Sequence, residues 1–163
     1  MSRQYLLENR GVVFAAKPDA VPYNYRISYK VSQICLILAK SCKEQSGCAP
    51  TKLHMISFAL CFKAIMDKLI DFAHNEFAEP PTVRFDPAVN RAVTFAIADK
   101  LICQQQNGKY VLTDKGKNLV AEIDKDSGVL LKEKKDLQAL SINLSDAKIR
   151  QLSEVWRNKY AED

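Results

Sequence analysis

Six side chains between positions 90 and 117 carry groups by which proteins hold nucleic acid: Asn90, Arg91, Thr94, Lys109, Lys115 and Lys117. Arg and Asn match the paired donors and acceptors on base edges, whereas lysines around a loop act as point charges toward backbone phosphates. On a helical wheel over 87–100, Arg91, Thr94, Phe95 and Ala98 lie opposite the apolar face, with Asn90 at its edge. Phe95 is out of keeping with a groove-reading surface. An apolar ring there marks a protein contact, or a site covered by the chain's own N-terminal arm. The plainer alternative is a solvated face on which Arg91 pairs with Asp86 or Asp99, so DNA contact, protein contact and neither all stay open.

The chain contains no phosphate-loop, dinucleotide-binding, nucleophile-elbow or zinc-protease motif. Of its two histidines, His54 falls near a helix start and His74 near a helix end. Both are more simply surface or satisfied side chains than catalytic ones. The five cysteines are 35, 42, 48, 61 and 103, an odd number with no C-x-x-C pair. Cys35 and Cys61 fall on apolar helix faces, and Cys42, Cys48 and His54 lack a fourth ligand, so no metal site is expected. A non-enzymatic binding module with no cofactor is the expectation.

The elements that must position these residues begin with Thr82-Val83-Arg84-Phe85, β-branched and aromatic, which predicts a short strand. Asp86-Pro87 then opens a helix, whose buried face is read as Val89, Ala92, Val93, Ala96, Ile97 and Leu101. Strands at 101–103 and 110–112 flank Asn107-Gly108, a strong hairpin signal. Thr113 or Asp114 caps the next helix, carrying Leu119, Val120 and Ile123. Strand, helix, two-stranded wing and helix make a winged helix-turn-helix.

Upstream, the spacing predicts a central helix over 27–43, ended by Gly47 at its left-handed cap position. A second helix over 51–62 continues, as one element or two, to a stop at Pro80-Pro81. Downstream, a charged helix over 129–140 precedes one capped by Ser145, with Ile149, Leu152, Trp156 and Tyr160 on one stripe. The fold class is therefore mainly α with a small β-hairpin (α+β). It divides into an arm (1–26), the winged-helix domain (27–126) and a C-terminal helical extension (127–163). The arm is interrupted by Gly11, Pro18 and Pro22, yet Tyr5, Leu6 and Phe14 make it too apolar for a solvated tail. Tyr5, Leu6, Phe14, Phe95, Trp156 and Tyr160 are the candidate partner-binding residues.

A net charge of +5 permits an anionic partner without demanding one. No apolar run approaches the ~20 residues of a membrane span, and the N-terminal stretch lacks a secretory apolar region, so a cytoplasmic protein is expected.

The segments YRISYKVSQICLILAKSC, SGCAPTKLHMISFAL and RFDPAVNRAVTFAIADKLICQQQNGKYVLTDKGKNLVAEI follow one another over roughly residues 25–126. In that order they resemble the middle component of ABC-three-component systems. They are also similar to the small winged-helix subunit of Lamassu-type SMC defence systems. The L-I-x4-N-G-x-Y-x-L-T-x-x-G part is common to many winged helices, and K-x-S-Q-I-x-L-I-L and R-F-D-P-A-x-N-R-A are more particular. The resemblance implies a non-catalytic subunit joining an SMC-like ATPase to an effector, often a nuclease, near DNA in anti-plasmid or anti-phage defence. The rival is a free-standing winged-helix transcription regulator, a two-fold dimer reading a palindrome. A neighbouring SMC-like ATPase gene would separate the two.

Overall fold

The computed structural model describes residues 26–76 and 79–161. Among them the chain is mainly helical, with seven helices and one two-stranded antiparallel sheet. Helix α1 (Ile27–Ser41) is the central element, with Ile34, Cys35, Leu36, Ile37 and Leu38 all buried, as an apolar stripe wider than one face requires. It ends two residues short of the expected 43. Gly47 does not cap it but turns the chain back at φ +67°, where an added Cβ would lie 2.8 Å from the Tyr110 carbonyl oxygen. The glycine is needed for that approach to the hairpin.

Helices α2 (Pro50–Leu60) and α3 (Lys63–Ala73) are two elements, broken where Phe62 adopts extended backbone. Helix α3 stops well before Pro80-Pro81, because Asn75 takes a left-handed conformation (φ 62°) and the Glu76 N–H returns to the Asp71 carbonyl at 2.8 Å. Residues 82–85 are not a strand. Val83 points inward and Thr82 and Arg84 outward, but no described strand pairs with them. The residue that joins the hairpin is Cys48, which exchanges both backbone hydrogen bonds with Tyr110 at 2.8 and 2.9 Å. A pattern of alternating residues fits an extended segment, but a ladder also needs a neighbour at the right distance.

Helix α4 (Pro87–Ala98) buries Val89, Ala92, Val93 and Ala96 against α1, while Ile97, expected in that stripe, is exposed. One step of about 100° past Ala96 carries Ile97 off the stripe's edge. Strands β1 (Ile102–Gln104) and β2 (Tyr110–Leu112) pair Ile102 with Leu112 and Gln104 with Tyr110. The turn is not the two-residue type that Asn-Gly suggests. The Gly108 N–H bonds the Gln105 carbonyl and Gly108 alone takes positive φ (79°), giving a three-residue loop.

Thr113, not Asp114, caps helix α5 (Asp114–Lys125), accepting the Gly116 N–H at 3.2 Å. Helices α6 (Leu131–Leu140) and α7 (Asp146–Tyr160) follow, the second capped by Ser145 as expected. Leu137, Leu140, Leu144, Ile149 and Leu152 join the same apolar cluster as α1, so the C-terminal helices extend that core.

Candidate functional site

The outer face of α4 is held in place by a polar network under its first turn. Asp86 accepts the Ala88 N–H through Oδ1 at 3.0 Å and pairs with Lys30 through Oδ2. Lys30 Nζ also donates to Ser57 Oγ at 2.9 Å and to Gln33 Oε1 at 3.1 Å. Gln33 passes the chain to Tyr29, which donates to Glu133 on α6 at 2.7 Å. Lys30, Gln33 and Ser57 are completely buried. A hydroxyl beside a lysine amine is the geometry of a base-activated nucleophile, but here both are sealed from solvent. Their structural effect is to tie the start of α4 to α1, α2 and α6. Sequence reasoning missed this network. Its signal was a lysine at helical spacing from Ile34 and Ile37, inside the apolar stripe of α1.

Because Asp86 is committed to Lys30, Ser57 and its own helix, it is not a partner for Arg91. Arg91 is exposed and forms no ion pair among the described residues. Asn90 is exposed, but its Oδ1 lies 3.1 Å from His54 Nε2, and Thr94 returns its hydroxyl to the Asn90 carbonyl at 3.0 Å. His54 is buried rather than superficial, edge-on to Phe85 with ring centroids 5.0 Å apart. His74 bonds the Ala139 carbonyl at 2.9 Å, joining α3 to α6.

More apolar side chains are exposed around α4 than expected. Phe95 is 50% exposed; Phe85, assigned by sequence to a strand, is 61% exposed beside His54, and Ile97, in the last turn of α4, is also open to solvent. Trp156 is half-buried, packing on the core while lining shallow clefts with Ile65, Pro80, Thr82 and Phe85. Tyr5, Leu6, Phe14 and the side chain of Tyr160 lie outside the described residues.

The three lysines do not converge on one patch. Lys115 Nζ donates to the Asp99 carbonyl at the end of α4 at 2.8 Å. Lys109 pairs with Asp146 at the start of α7 at 2.6 Å, and Lys117 pairs with Glu44 in the turn after α1. Those ammonium groups hold the carboxyls of Glu44 and Asp146 below the usual carboxylate range, first by hydrogen bonding and then by charge.

The cysteines and His54 do not form a metal cluster, and among the described residues no group of three or more candidate ligands is present. Cys42 and Cys48 are buried neighbours whose interaction lowers the first thiol's pKa and raises the second's, while Cys48 Sγ donates to the Ala49 carbonyl at 3.6 Å. His54 faces Asn90 and Phe85 instead. No helix among the described residues is long and apolar enough to cross a membrane. No family model, curated protein or solved structure matches this chain.

Proposed function

We propose that the protein is a winged helix-turn-helix subunit, itself non-catalytic, of a prokaryotic SMC-like ATPase defence complex in the cytoplasm. It joins the ATPase to an effector, such as a nuclease, and lies near DNA. The order α1, Cys48 bridge, α2, α4 and hairpin supports the winged-helix reading, with α3 inserted before the helix that precedes the wing. The observation that carries the reading is the outer surface of α4, where Phe95 is half exposed while the nearby lysines are held by internal acceptors. Such a surface favours a protein partner over independent tight DNA binding.

The test is co-purification with the SMC-like ATPase encoded beside its gene. Phe95→Ala should weaken assembly by ~2 kcal/mol or more if the ring is a desolvated anchor. Its thermal unfolding should stay unchanged. Failure of the wild-type chain to assemble with any neighbour would overturn the reading.

A second reading, a free-standing transcription regulator, is favoured by the exposed Arg91 on that same face. Tight, palindrome-specific binding by the isolated chain, ~10⁻⁸ M or better, would establish it in place of the first.

A further inference from the structure

Beside the hairpin, a cleft of about 380 Å³ is lined by Lys43, Ser46, Lys52, Lys109, Asn143 and Asp146 among others. Lys52 is unusual in it. The residue is only 6% exposed, and it forms no hydrogen bond or ion pair among the described residues. Its stem is covered and its head group lines the cleft, where its charge acts on the Asp146 carboxylate without a direct ion pair.

Two helices of 11 and 15 residues also begin here: α2, which contributes Lys52 from its first turn, and α7, which contributes Asp146. The α2 start has Ala49 at its cap position and no side-chain cap, so its leading N–H groups add positive potential. Against three lysines the cleft contains one carboxylate, Asp146, already engaged by Lys109.

We propose that this cleft binds a phosphate group, with Lys52 as the buried anchor, Lys43 and Lys109 at the rim and Asp146 as a built-in competitor. A tetrahedral phosphate fits the donor set better than a planar carboxylate, because its oxygens can accept from several lysines at once. The phosphate comes either from a DNA backbone or from a small phosphate ester. The site does not depend on the subunit reading, since the isolated full-length chain suffices to test it.

The experiment is calorimetric titration of that chain with inorganic phosphate, using chloride as the control anion. Binding above the control is expected, weakened roughly tenfold in Lys52→Met, which keeps the stem and removes the charge. Asp146→Asn should instead bind several-fold more tightly. No binding by wild type, or equal binding by Lys52→Met, overturns the proposal. Should Lys52→Met fail to fold, Asp146→Asn decides: tighter binding supports the site and unchanged binding overturns it. The two sources separate in a parallel anisotropy titration with labelled duplex DNA. Phosphate competing with DNA, and a matching loss in Lys52→Met, identifies the backbone as the source. DNA affinity indifferent to Lys52→Met identifies a small ester.

Discussion

Asp86 is the residue on which the geometry of the outer surface turns, since one carboxylate both caps α4 and neutralises Lys30. A buried ion pair adds little stability compared with apolar residues of equal volume, but removing one partner strands the other. Asp86→Ala should therefore destabilise the chain by about 3–5 kcal/mol. Asp86→Asn, which keeps a cap acceptor, should recover only the ~1 kcal/mol that a cap contributes. Urea denaturation checks both, and a loss below that of an ordinary surface change would show that Lys30 finds another counter-charge.

Cys35, buried within α1, makes a second prediction at this scale. Burial pushes its thiol from 9.0 up to about 12. The native state thus retains a proton that the unfolded chain releases, so this contribution to stability is complete below pH 9 and is lost as pH rises toward 12. Unfolding midpoints should fall across that window, and Cys35→Ala should flatten the fall. An unchanged slope would assign the alkaline loss to other groups.

At the scale of elements, α7 and α4 present their aromatic residues differently. Trp156 sits on the core stripe below Ile149 and Leu152 but keeps part of its ring in the cleft beside Phe85, whereas Phe95 stands clear of the core. Trp156→Ala should cost about 1–3 kcal/mol, less than the 3–5 of a fully enclosed aromatic. Denaturation followed by circular dichroism measures this directly. A Trp156→Ala chain as stable as wild type would place the ring outside the core and return it to the set of partner contacts alone.

For the whole molecule, the apolar cluster runs from α1 through the hairpin to α7 without a break in membership. One shared core predicts one cooperative transition. Trp156 is the chain's single tryptophan and reports on α7, whereas far-ultraviolet dichroism averages over all helices. The two transitions should coincide in denaturant. An earlier fluorescence transition would mean that the C-terminal helices open independently.

Much of this architecture was legible from local pattern. The stripe of α1, the Asp86-Pro87 and Ser145 helix starts and the two hairpin strands depend on nearest-neighbour spacing and capping chemistry, which the residues themselves carry. The exposed position of Phe95 followed from the same helical period. What only tertiary structure decided involves partners distant in sequence. Residues 82–85 have strand-forming side chains, but Cys48 occupies the place beside β2, because sheet pairing needs a neighbour in register as well as propensity. Lys30 reads as an ordinary helix residue until Asp86, Ser57 and Gln33 enclose it. The lysines read as a phosphate-facing group until folding gives Lys109 to Asp146 and Lys117 to Glu44, pairings that link positions far apart in the chain. Local period and capping are short-range properties of the chain, whereas pairing of charges and strands is settled by which surfaces the core brings within a few ångströms.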